Sequence, residues 1–108
     1  MADNPYIPNL TREPDLLSAL SVIMDPEIHV PITEMGLIYG VQRKNTTAHV
    51  TMTLTTIGCP LFDVIKKDIE DELHKVDGIE SVEIELTFDP PWHTGMMSEE
   101  IQLELGIM

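Results

Sequence analysis

The sequence has little positive charge. Six Lys plus Arg stand against 19 Asp plus Glu in 108 residues, a formal net charge of −13. Nucleic-acid recognition relies on clustered Lys and Arg that release counterions from phosphate, so these few scattered bases exclude it. The same imbalance sets the chain against an anionic bilayer. Cysteine is scarcer still: one residue, Cys59, excludes an internal disulfide framework and any metal site built only from cysteines of one chain. No apolar run approaches the roughly 18 residues that cross a bilayer. Residues 1–10 lack the basic and apolar regions of a secretory signal. The cytoplasm is the expected compartment, where a lone thiol stays reduced.

What is present is enough for one domain, with 43% hydrophobic and 23% charged residues and no internal repeat. Residues 1–10, with Asn4, Pro5 and Pro8, read as a loose arm, and residues 11–108 as a single domain. Thr11, Glu13, Pro14 and Asp15 signal a helix start, and Leu16, Leu20, Ile23 and Met24 continue at helical spacing until Asp25-Pro26 stops it. Pro26, Pro31 and Gly36 punctuate a connection. Leu37, Tyr39 and Val41 then alternate as a strand, followed by a polar turn at Lys44-Asn45-Thr46. In the next strand Ala48, Val50, Met52 and Leu54 face the core, with Thr47, His49, Thr51, Thr53 and Thr55 on the other side.

After Thr56-Ile57-Gly58-Cys59-Pro60, Leu61, Ile65, Ile69, Leu73 and Val76 form the stripe of a long helix that Gly78 ends. Asp63 to Lys67 and Asp71 to Lys75 are its expected i,i+4 ion pairs. A third strand points Val82, Ile84, Leu86 and Phe88 inward and Glu83, Glu85 and Thr87 outward. The turn at Asp89-Pro90-Pro91-Trp92 follows, and Ser98-Glu99-Glu100 opens a last helix. The fold class is therefore α+β: a two-layer α/β sandwich in the order α-β-β-α-β-α, with helices on one face of a three-stranded mixed sheet.

Cys59 is the residue best placed for chemistry. A strand end precedes it and Pro60 opens the first turn of a helix, so Cys59 is the expected N-cap, where unpaired N–H groups and the helix dipole favour thiolate. Gly58 permits a tight loop, and Thr55 and Thr56 place hydroxyls beside it. The plain alternative is a small buried hydrophobe. Known thiol motifs match poorly. A phosphatase loop needs Arg where Ile65 stands, a dithiol motif needs Cys at Phe62, and a peroxiredoxin-type site needs Pro at Met52. His29, His49, His74 and His93 show no zinc spacing with one another or with Cys59. Asp25-Pro26-Glu27 and Asp89-Pro90-Pro91-Trp92 either hold carboxylates rigidly or simply stop helices and make turns.

Six segments taken in order carry a resemblance. They are Asp25-Pro26-Glu27-Ile28, Met35-Gly36-Leu37-Ile38-Tyr39, Met52 through Pro60, Val82-Glu83-Ile84-Glu85-Leu86, Asp89-Pro90-Pro91-Trp92 and Met97-Ser98. Over about residues 15–108 the chain resembles the SufT-like and PaaD-like iron–sulfur cluster assembly domain family. It departs at Ile57, where many relatives have proline, and it ends without the cysteine-rich tail of the PaaD type, which favours the SufT-like side. The resemblance implies an accessory factor that matures or delivers iron–sulfur clusters, without enzymatic turnover. It implies Cys59 as functional thiol and transient cluster ligand, with Asp25, Glu27, Thr55, Thr56, Gly58, Pro60, Asp89 and Trp92 around it. Scaffold or carrier proteins and apo-protein clients are the implied partners.

A cluster normally takes about four protein ligands, usually thiolates, and one chain offers one. A homodimer pooling two Cys59 thiolates, a transient complex with a donor or client, or no cluster at all remain open. The readings from other classes are a monothiol redox enzyme and a non-catalytic adaptor. The charge is also uneven, net −3 over residues 1–57 and net −10 over residues 58–108.

Overall fold

A computed structural model of the chain describes residues 13–25, 29–54, 62–88 and 91–106. The elements follow in the order α1 (Pro14–Leu20), β1 (Ile38–Lys44), β2 (Thr47–Met52), α2 (Phe62–Leu73), β3 (Ser81–Leu86), a 3₁₀ turn (Thr94–Met96) and α3 (Glu99–Glu104). The strands lie side by side as β1-β2-β3, with β1 antiparallel and β3 parallel to β2. The hairpin needs only Asn45 and Thr46 between the paired Lys44 and Thr47, and Asn45 takes the left-handed conformation such a turn requires (φ 58°). The Thr46 carbonyl accepts hydrogen bonds from the amides of Glu80 and Ser81, which fixes where β3 starts.

The core lies between the sheet and the first two helices. Leu16 and Leu20 of α1 and Ile65, Ile69 and Leu73 of α2 pack with Val41, Ala48, Val50 and Met52. Apart from Ala48, each of these fully buried side chains contributes about 1.5–3 kcal/mol of transfer free energy, so these few contacts hold the two layers together.

Several sequence expectations are corrected. The first helix ends at Leu20, because the Ser21 amide and hydroxyl both turn back to the Ser18 carbonyl. Ile23 and Met24 instead join a short antiparallel bridge: the Asp25 amide donates to Val30, the Ile32 amide to Ile23, and Met24 pairs with Pro31. Ile23 is buried and Met24 half-exposed. The long helix stops at Leu73 rather than near Gly78, and two tight turns carry the chain to Gly78 (φ 87°). Its ion pairs also re-partner. Lys67 reaches forward to Asp71 and Lys75 back to Glu72, leaving the expected Asp63–Lys67 and Asp71–Lys75 pairs unformed.

Strand β1 does not keep Leu37, Tyr39 and Val41 on one face. Between the Ile38–Met52 and Gly40–Thr51 pairs it advances two residues against one, so Tyr39 is the extra residue of a β-bulge. Ile38 and Val41 stay with the main core, while Tyr39 packs in a separate cluster with Met96 and Trp92. Thr53, expected on the open face, is fully buried. In β3, Val82 and Ile84 are only half-buried and Leu86 is 37% exposed, because among the described residues no further strand lies outside them.

Candidate functional site

Near the motif segments the chain makes a single helical turn over residues 31–36. Pro31 opens it, and the Glu34 and Met35 amides donate to the Pro31 carbonyl. It closes as a Schellman motif: the Leu37 amide donates to Ile32, the Gly36 amide to Thr33, and Gly36 takes φ 78°. Proline at the start and glycine just past the end is the sequence signature of such a turn.

The C-terminal segment docks on that turn by using its free carbonyls. Trp92 donates its indole N–H to the Met35 carbonyl (2.8 Å), and the Ser98 amide donates to the Glu34 carbonyl (2.9 Å). Gly36 lies against the Met96 backbone, and a Cβ there would sit 2.3 Å from the Met96 oxygen. Ser98 also caps α3 through Oγ, which accepts from the Ile101 amide. His93 is occupied with its own turn, its Nδ1 accepting from the Gly95 amide. Glycine at 36 thus satisfies both a backbone conformation and a close approach.

Beneath this shelf the Tyr39 hydroxyl donates to Met96 Sδ (3.5 Å) and hydrogen-bonds the Thr53 side chain. Burial is the larger influence on the phenol and raises its pKa above the ordinary 10.0, while the Thr53 bond opposes that rise. A raised phenol pKa means that the fold favours the protonated form. Its stabilising contribution is therefore complete below pH 10 and is lost as pH rises through the raised value. We expect a Tyr39→Phe variant to lack this alkaline fall in thermal stability, and ultraviolet titration of the wild type to show one tyrosine that the variant has lost, ionising above pH 10. Identical titration curves would contradict this assignment.

The sheet brings two motif-bearing connections to one end. Met52 of β2 pairs with Leu86 of β3, and the Thr87 amide continues the ladder to the Met52 carbonyl. The chain therefore leaves β2 after Leu54 and β3 after Phe88 from neighbouring, parallel strand ends. The Thr53 amide, bonded to the Leu37 carbonyl, ties the start of β1 to the same end. The described part of α2 begins at Phe62 and carries Asp63 in its first turn.

Of the sequence-derived site residues, Asp25 and Trp92 are described. Asp25 is half-buried at the mouth of the bridge formed with residues 30–32, and its carbonyl accepts from the His29 amide (2.9 Å). Trp92 is half-buried on the shelf. Glu27, Thr55, Thr56, Gly58, Cys59, Pro60 and Asp89 lie outside the described residues, as does the expected N-cap role of Cys59. Among the described residues no three His, Asp or Glu side chains gather as a metal site. His49 instead faces Glu83 at 3.1 Å across the sheet. The residues that sequence reading missed as site supports are Gly36, Tyr39, Thr53 and Met96. The Pro31-to-Gly36 spacing was the available signal for the first, and nothing in the strand alternation marks the bulge at Tyr39.

A family model for iron–sulfur cluster assembly proteins matches residues 13–86. The chain belongs to this family. It is similar over nearly its whole length to an Fe-S protein maturation auxiliary factor of Porphyromonas gingivalis, with 43% identity across 92% of this chain and 95% of that protein. Similarity to the Fe-S protein maturation auxiliary factor YitW of Bacillus subtilis is 34% identity across 86% of this chain and 92% of the other. The fold matches a solved domain of unknown function from Bacillus anthracis with a TM-score of 0.80, 35% identity, and coverage of 87% of this chain and 91% of that one. The small α+β domain with a three-stranded mixed sheet is thus the family fold.

Proposed function

We propose that this chain is an accessory factor in iron–sulfur cluster assembly and in transfer or targeting of clusters to apo-proteins, with Cys59 as its working thiol. Membership of the family and near full-length similarity to maturation auxiliary factors support the role. The observation that carries the site is the pairing of Met52 with Leu86 at the parallel ends of β2 and β3. The segment with Thr55, Thr56, Gly58, Cys59 and Pro60 follows one of these ends, and Asp89 and Trp92 follow the other. In this reading Asp25 and Glu27 complete the pocket, and the Trp92–Met35 shelf gives it a fixed wall.

The cluster is cargo. One thiolate supplies about a quarter of the usual ligand set, so Cys59 holds a cluster only together with ligands of a scaffold, a carrier or a client. The protein thus acts by transient shared ligation, in a reducing compartment such as the cytoplasm, and turns over no substrate of its own. Co-expression with assembly machinery and anaerobic purification test this. Iron and sulfide with a visible absorption band in a partner complex, lost in Cys59→Ser, is the expected result. An iron-free protein that forms a Cys59 sulfenate and consumes peroxide would replace this reading with a monothiol redox enzyme.

The thiol itself gives a further expected result. Free cysteine with pKa near 8.5 is only about 3% thiolate at pH 7, whereas a helix-start thiol reaches ~7. The rate of alkylation of Cys59 by iodoacetamide is expected to titrate below the free-cysteine value, and a midpoint at or above about 8.5 would count against an activated thiol.

A further inference from the structure

The two edges of the sheet are treated differently. On β1 the Val41 carbonyl accepts from the Glu13 amide, and the Arg43 amide donates to the Glu13 carboxylate, so the start of α1 occupies that edge. On β3 the Ser81 amide and the Thr87 amide both bond inward, to Thr46 and Met52. Backbone groups alternate in direction along a strand, so the N–H and C=O groups of Val82, Ile84 and Leu86 point outward. Among the described residues no other backbone group meets them. A groove of about 460 Å³ is lined by residues 82–85 of β3 together with Lys66 and Glu70 of α2 and His49 and Thr51 of β2.

We infer that the outer edge of β3 is a docking site for an extended segment of a partner protein in which Lys or Arg alternates with apolar residues. Such a segment adds a fourth strand by main-chain hydrogen bonds. Its apolar side chains continue the half-covered row of Val82, Ile84 and Leu86, the last 37% exposed. Its basic side chains lie on the opposite face beside Glu83 and Glu85, which are exposed. The same charges argue against a second copy of this chain. Antiparallel pairing of β3 with itself, with the apolar faces aligned, sets glutamate against glutamate in its central registers, and like charges directly opposite destabilise a sheet. The proposal does not depend on the thiol of Cys59.

The test uses the full chain and two synthetic ten-residue peptides, one alternating Lys and Val, the other Glu and Val. Amide hydrogen exchange is followed by NMR at low salt. The Lys-Val peptide is expected to slow exchange at Val82, Ile84 and Leu86. The doubly substituted Glu83→Lys, Glu85→Lys protein is expected to bind it at least about tenfold more weakly and to accept the Glu-Val peptide instead. Both positions are exposed, so the fold tolerates the change. Unchanged exchange at the three amides, or equal binding of both peptides by both proteins, would overturn the proposal. Concentration-dependent protection of the same amides without peptide would overturn it too, by assigning the edge to a second copy.

Discussion

Gly36→Ala is expected to destabilise the protein by about 3 kcal/mol or more and to release the C-terminal segment from the turn over residues 31–36. Two costs add at this position. A φ of 78° is strained for any residue with a Cβ, and that Cβ would meet the Met96 carbonyl oxygen at 2.3 Å, where backbone must move to make room. The displaced backbone carries the Trp92–Met35 and Ser98–Glu34 hydrogen bonds with it. A fall in melting temperature of roughly 10–20 °C follows for a domain of this size. Trp92 is the only tryptophan, so its emission reports undocking directly. Gly106→Ala is the control. It has φ 74° but nothing within 4 Å of an added Cβ, so it carries strain alone, about 1 kcal/mol. Equal losses for the two variants would show that the approach to Met96 does not matter.

Cys59→Ser is expected to abolish support of iron–sulfur enzymes while leaving the melting temperature within a few degrees of wild type. Serine is close in size and puts a hydroxyl oxygen, a good helix-capping acceptor, in place of the sulfur, but it is not a thiolate ligand and its hydroxyl does not ionise near neutral pH. The measurement pairs iron–sulfur enzyme activity in a strain whose only copy is the variant with thermal unfolding of the purified variant. Full enzyme activity would remove Cys59 from the mechanism. A large loss of stability would instead mark it as a core residue. Gly36→Ala and Cys59→Ser therefore separate the proposed wall of the site from its proposed chemistry.

The element order was legible because strand and helix periods differ strongly and each segment kept its own. Ends were less legible. The first helix stops at Leu20 because Ser18 and Ser21 offer local hydrogen bonds, while Ile23 and Met24 fit a helix and a bridge equally well by period. The bulge at Tyr39 was invisible, since one inserted residue moves a side chain to the other face without altering the residue pattern. Lys67 and Lys75 each had acids at two allowed spacings, and tertiary placement rather than sequence decided between them. In the site, Trp92 was named from its Asp-Pro-Pro-Trp setting, but its bond to Met35 joins positions 57 residues apart, a separation that no local pattern encodes. Ser98 was read correctly as a helix start because its cap acts within three residues.

The most direct test of the assigned role compares two enzymes in cells deleted for this chain: one that depends on an iron–sulfur cluster and one that has no metal. Loss of activity confined to the cluster enzyme, restored by adding back the wild-type gene, is the expected result. Equal activity of the cluster enzyme with and without this chain, or a parallel fall in both enzymes, would contradict a role in iron–sulfur cluster assembly.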